Sequence, residues 1–184
     1  NTLTSIATDI STGDATFVAS LKRSGSSNNA QGLILHGDPS SVYLQNSWES
    51  AYYFQFNNNQ QVSVLKSQAG TITSLMDWVI VPYVISNGFN TLKVASQGSA
   101  IFLYINDKLT WSGTDESFRA GKAGIYLYRD ASSVGDLLEV DFASIQGGTP
   151  LYTFRDNLEN PISGNWTSSV ETGSSNPWYY PQSM

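Results

Sequence analysis

The sequence predicts an all-β chain folded as a two-layer antiparallel sandwich, a jelly roll with negligible helix. Three observations carry that expectation. Short apolar segments alternate with polar residues and are punctuated every few positions by Gly, Asn, Asp or Pro. No segment shows a convincing 3.6-residue apolar period. Several segments are apolar on both faces, as where Ile101, Leu103 and Ile105 oppose Phe102 and Tyr104. Such strands belong at the centre of a two-layer stack rather than in one open sheet.

The segments follow in order. Ala15 to Arg23 sets Phe17, Ala19 and Leu21 against Thr16, Val18 and Ser20, then meets the loop GSSNNAQ. Leu33 to Leu35 is a short apolar strand that stops at His36-Gly37-Asp38-Pro39. Ala51 to Phe56 and Val62 to Lys66 flank Asn57-Asn58-Asn59, which is hairpin chemistry. Phe89 to Ser96 turns at Gln97-Gly98 into Ala100 to Ile105, and Asn106-Asp107 turns that strand into Lys108 to Trp111. Lys122 to Tyr128 and Leu137 to Ile145 complete the set, and the outer layer can carry aromatics such as Tyr126 and Tyr128. A strand at 151–155 is expected at a sheet edge beside 140–145, joined through Gln146-Gly147-Gly148-Thr149-Pro150, with Leu151, Phe154, Leu158 and Trp166 in the core with Phe17 and Phe142.

Composition narrows the function. At 184 residues the chain suits one domain with one substantial core. Only 13% of residues are charged, and 15 acidic against 9 basic side chains give a net charge of −6. That balance repels phosphate backbones and argues against nucleic acid and anionic lipid. Cysteine is absent, which removes disulfides, thiolate catalysis and sulfur-based zinc sites. No apolar run approaches the roughly 20 residues that cross a bilayer, so membrane insertion is not expected. A surface built from Ser, Thr, Asn, Gln, Gly and Tyr, and a chain starting at Asn rather than Met, point to an extracellular or cell-surface protein whose leader has been removed.

Between residues 88 and 145 the order of residues becomes specific. Asn90, Leu92, Lys93 and Val94 are followed by a turn at Gly98, by Tyr104 and Asn106 at a hairpin, by Phe118, Gly121 and Gly124, and by Val140, Asp141 and Phe142. This pattern resembles the back half of laminin-G-like and related concanavalin A-like domains, and also carbohydrate-binding modules built on the same sandwich. The front half of that pattern is displaced to the end of the chain, where Phe154, Asn157, Leu158, Gly164, Trp166, Val170 and Gly173 supply it. The resemblance implies a single concanavalin A-like sandwich over 1–184 in which 150–184 provides the strands that usually open the fold. Those strands close the same chain, as in a circular permutation, or a neighbour's; a piece cut from a tandem array is the bland alternative.

Enzymes of the laminarinase type on this sandwich carry E-x-D-x-x-E, because a glycosidase needs an acid and a nucleophile across the scissile bond. Here Glu139-Val140-Asp141 supplies two acids and Ser144 stands where the third belongs, so no catalytic residue is assigned. His36, the one histidine, lacks a nucleophile motif and reads as a hydrogen-bonding residue at a strand end.

Sugar binding has firmer footing, since sugar C–H faces stack on exposed rings while amides and carboxylates read the hydroxyls. Trp48, Trp111, Trp178 and Tyr180 are the candidate rings, with Asp38, Asn46 and Glu49 as polar companions. Calcium is the ion the chain suits best, with Asp130 and Asp136 bracketing one loop, although no cofactor is required. Two functions follow. The first is a non-catalytic extracellular carbohydrate-binding or adhesive module whose partner is a carbohydrate or cell-surface glycan. The second is a structural subunit of a filament or surface assembly, a head-to-tail homopolymer joined by terminal-strand complementation.

Overall fold

The computed structural model describes residues 2–25, 28–133 and 135–147 in full, together with the backbones of strands at 152–156, 166–169 and 178–179. In chain order the strands are β1 (Thr2–Thr12), β2 (Ala15–Ser24), β3 (Gln31–Gly37), β4 (Ala51–Phe56), β5 (Gln61–Gln68), β6 (Thr71–Ile80) and β7 (Asn90–Gln97). They continue as β8 (Ala100–Ile105), β9 (Lys108–Thr114), β10 (Gly121–Arg129), β11 (Leu137–Gly147), β12 (Tyr152–Asp156), β13 (Trp166–Ser169) and β14 (Trp178–Tyr179). One sheet runs β13-β1-β10-β3-β4-β5-β6 and the other β12-β11-β2-β7-β8-β9, with β14 lying parallel to the first part of β11. Among the described residues there is no α-helix, only a 3₁₀ turn at Leu44–Asn46. The expected antiparallel sandwich is the fold of the chain.

Turn chemistry explains the hairpins. Asn106 and Asp107 both take positive φ, 51° and 64°, as a two-residue type I′ turn requires, and they join β8 to β9. Gly98, at φ 57°, turns β7 into β8. Alternation then fills the layer between the sheets: Phe17, Leu21, Leu33, Phe54, Val94 and Leu103 are all fully buried there. β1 and β6 are strands that the sequence pattern did not single out. β1 buries mostly Thr, Ser and Ala beside Leu3 and Ile6, so its apolar signal is faint, and β6 is exposed along most of its length.

β6 ends its sheet, and it is the irregular member. Two β-bulges break its pairing with β5, one between Val62 and Val64 and one between Val64 and Leu65, each placing an extra residue on β6.

At the end of the chain, β12 pairs antiparallel with β11, from Ala143 opposite Asp156 to Gly147 opposite Tyr152. β13 pairs antiparallel with β1, with Ser5 opposite Ser169. Both partners belong to this same chain. The positions of Leu151 and Leu158, and the side chains of Phe154 and Trp166, lie outside the described residues.

Two buried polar groups fix loops to the sandwich. Arg23 is fully buried at the end of β2, and its guanidinium meets the Asp136 carboxylate at 2.7 Å through both Nε and Nη2. His36, at φ 53°, is turned out of the strand alternation so that Nδ1 lies 3.1 Å from the Phe118 carbonyl and Nε2 lies 2.9 Å from that of Gly13. The hydrogen-bonding role expected of it is what it performs. Burial holds its imidazole below the ordinary range against the opposing pull of those carbonyls.

Truncating Phe17 to Ala should cost roughly 3–5 kcal/mol, read as a lower urea midpoint. His36 gives a pH signature. Because its pKa is depressed in the folded chain, the unfolded chain binds the extra proton first. Its share of stability is therefore complete above about pH 6.5 and is lost as pH falls through the folded value. Urea midpoints between pH 7 and 5 should decline in the native protein and flatten in His36→Gln; an unchanged slope would remove His36 as the cause.

Candidate functional site

The site is built on the face of the β1–β6 sheet that is turned away from the partner layer. Alternation sends Tyr52, Phe54 and Phe56 of β4 into the sandwich and leaves Tyr53 and Gln55 on the outer side. The same phase puts Leu3 of β1, Ile34 of β3 and Tyr126 and Tyr128 of β10 outward, where they form a second apolar cluster.

The loop at 38–50 covers part of this face. Trp48 is its plug, with 0% of its surface exposed, and its indole Nε1 donates to the Ser5 hydroxyl at 3.0 Å. The ring lies where two strands carry glycine: a Cβ on Gly37 would fall 2.3 Å from it, and one on Gly124 would fall 2.8 Å away. The Tyr53 hydroxyl accepts from the Trp48 backbone N–H at 2.7 Å and donates to the Trp48 carbonyl at 3.2 Å, so one phenol holds both polar groups of the residue. The loop is further tied to the β5–β6 turn, where Gly70 N–H donates to the Glu49 carbonyl at 2.9 Å.

Beside the plug a cavity of about 460 Å³ stays open, within the size of small-molecule sites. Tyr53, Gln55, Leu65 and Tyr126 form its floor, with Tyr128 and Leu3 along one side. The tip of the 38–50 loop supplies Tyr43, Leu44, Gln45 and Ser47; β6 supplies Ile72 and Trp78; Asn28 and Asn29 stand at the rim. Tyr43 is 50% exposed and Trp78 41%, which leaves both rings able to meet a ligand. The Tyr43 ring rests over Gly70, whose missing Cβ would lie 2.7 Å from it.

The floor is pre-ordered. Tyr126 and Tyr53 meet edge to face, 5.4 Å between centroids. The Tyr126 hydroxyl donates to Gln55 Oε1 at 2.5 Å, and Gln55 Nε2 donates to the Ser63 hydroxyl at 2.6 Å, which fixes the amide orientation. Burial pushes both phenols well above their usual range, so they remain neutral hydrogen-bonding groups. At the rim, Asn29 Nδ2 donates to the Ser133 hydroxyl and Asn59 Nδ2 to Asn28 Oδ1. Among the described residues that line the cavity none is charged.

The residues expected to bind sugar are scattered by this geometry. Trp48 is a buried structural plug rather than a stacking ring, because the loop folds back onto paired glycines. Trp111, on β9 of the other sheet, packs towards Phe54 of the core at 6.4 Å between centroids and does not line the cavity. Asp38 accepts from the N–H and hydroxyl of Ser40 and caps its own turn. Glu49 accepts from the Ser41 hydroxyl and braces the base of the loop. Asn46 sits at the loop tip between the lining residues Gln45 and Ser47. The side chain of Trp178, and Tyr180 altogether, lie outside the described residues.

The acidic expectations resolve similarly. Asp136 pairs with Arg23 through Oδ2, and Asp130 accepts from the hydroxyls of Ser132 and Ser133. Among the described residues no three acidic or histidine side chains gather as a metal site. Glu139 pairs with Lys22 at 2.9 Å and accepts from Ser24 at 2.8 Å, while Asp141 is exposed at a bulge of β11. Both stand on the sheet that does not carry the cavity. Missed in the sequence were Tyr43, Trp78, Tyr53 and Gln55. The last two had a signal, a glutamine in phase with a tyrosine inside an otherwise apolar strand.

No protein-family model matches the chain, and no curated protein sequence does. Solved structures do match. The chain is similar to a carbohydrate-binding module, CBM66, from Bacillus subtilis, with TM-score 0.59 and 18% identity over 70% of this chain and 75% of that one. It is similar to a β-glucanase from Bacillus licheniformis, with TM-score 0.51 and 12% identity over 69% of this chain and 59% of that one. It is also similar to CG-16, a homodimeric agglutinin from chicken liver, with TM-score 0.51 and 7% identity over 72% of this chain and 97% of that one. These likenesses establish the fold as a concanavalin A-like sandwich.

Trp48→Ala should act on stability, costing about 3–5 kcal/mol in urea unfolding. A cost below about 1 kcal/mol would mean that the loop does not depend on its plug.

Proposed function

We propose that the chain is a non-catalytic carbohydrate-binding module, extracellular or displayed at a cell surface, that holds a glycan in the cavity on the outer face of the β1–β6 sheet. The observation that carries the reading is the pairing of two exposed rings, Tyr43 and Trp78, with a floor of oriented amide and phenol groups in one cavity. Rings of that kind take the C–H faces of a sugar, and amides that both donate and accept match hydroxyls that do the same. The fold neighbours named as a binding module and an agglutinin support it. The glucanase neighbour lends this cavity no catalytic reading, since glycoside hydrolysis needs two carboxyl groups flanking the bond and the described lining residues supply none.

The tail offers the filament reading no support. β12 and β13 pair with β11 and β1 of their own chain.

The test is a glycan-array screen followed by calorimetry on the strongest hit. Tyr43→Ala and Trp78→Ala should each weaken binding by about 1–3 kcal/mol, as expected for losing an aromatic contact. Trp111→Ala should leave affinity unchanged in the folded fraction. Affinity that survives both cavity substitutions and falls with Trp111→Ala would move the site to the other sheet. The hit polymer should also show no new reducing ends after prolonged incubation with the protein.

A further inference from the structure

The lining of the cavity is chemically one-sided. Its described residues supply phenols, an indole, primary amides, a hydroxyl and aliphatic groups, and among them is no Asp, Glu, Lys or Arg. Several basic side chains are committed elsewhere: Arg23 to Asp136, Lys66 to Asp115, Lys22 to Glu139 and Arg119 to Glu116, with Lys93 and Lys108 over the rings of Tyr104 and Tyr83. One acid acts on the lining directly: Asp130 lies two residues beyond Tyr128 and raises that phenol's pKa, second to burial. The chain as a whole carries −6.

We propose that the cavity selects uncharged sugars and rejects uronate, sialate and sulfate groups, with no contribution from calcium. The proposal rests on the glycan-binding reading and specifies its ligand class. An anionic substituent entering this cavity sheds water and meets no cation to replace it, and desolvating an unpaired charge is strongly unfavourable. Asp130, whose charge reaches Tyr128, adds repulsion of the same sign. Neutral hydroxyls incur no such loss, because Gln55, Asn28, Asn29 and Gln45 offer both donors and acceptors. A calcium ion that could bridge an acidic surface to an acidic sugar has no cluster of ligands among the described residues.

The experiment is a glycan array printed with neutral glycans beside their sialylated, uronate-containing and sulfated counterparts, run in EDTA and again with Ca²⁺, each at low and high salt. Expected are signals confined to neutral glycans, each acidic counterpart weaker by about tenfold or more, and no change with EDTA or salt. Ile72→Lys adds a cation at an exposed lining position of β6 and should recover binding to the acidic counterparts while keeping the neutral hits. Acidic glycans bound as well as their neutral parents, or signals that need Ca²⁺, would overturn the selectivity and leave the glycan-binding reading standing. An array empty under every condition would overturn both.

Discussion

The Tyr53 hydroxyl is held between the N–H and the carbonyl of Trp48, and most of the outer face follows from that contact. A phenol that satisfies both backbone groups of one loop residue removes the need for the loop to reach solvent there. The indole can then sink onto Gly37 and Gly124, which have no side chain to keep it away. Once Trp48 is seated, the tip at 43–47 has little freedom: Val42 bridges to Trp48, and the Tyr43 N–H donates to the Ser47 carbonyl at 2.7 Å. The tip then becomes one wall of the cavity. Covering part of a sheet face thus defines the remainder as a concavity, and the same tyrosine serves as latch and as floor.

Both functional options open to this fold are visible in the chain, and they fall on different sheets. Carboxylates at 139 and 141 lie on β11, engaged or solvated, while the rings and amides converge on the opposite layer. Fold likeness alone does not choose between hydrolysis and binding, because sites are grafted onto folds. The described residues of the concave lining are neutral hydrogen-bonding groups and rings, the chemistry on which the proposed binding role rests.

The architecture was legible in the sequence wherever local rules act alone. The Asn106-Asp107 hairpin needed only turn chemistry, and the double-faced strand at 100–105 needed only its neighbours. Tyr126 and Tyr128 were readable as outer-layer aromatics because β10 alternates cleanly. The site was harder, because loop placement is a tertiary event. Trp48 stands in a Ser-rich loop among polar residues, the usual setting of an exposed ring, and nothing nearby in sequence announces Gly37, Gly124 or the Ser5 hydroxyl that receive it. Asp136 reads as a loop acid for the same reason: its partner Arg23 lies 113 residues earlier. Trp78 was overlooked because β6 lacks the apolar alternation that marks a half-buried strand.

The two bulges of β6 take on meaning from that strand's position. A cavity wall needs apolar side chains, and here the wall is also the last strand of a sheet, with Ile72, Trp78, Val79 and Ile80 all exposed. A straight strand with those side chains and an open row of amides is a template for aggregation between molecules. Inserting two extra residues twists the edge and breaks the regular spacing that an incoming strand must match. Protection of a sheet edge and the proposed ligand capture therefore make opposing demands on the same ten residues. The irregularity of β6 is how the chain meets both, and a homologue that straightened this strand would have to give up its apolar wall or acquire a cover for the edge.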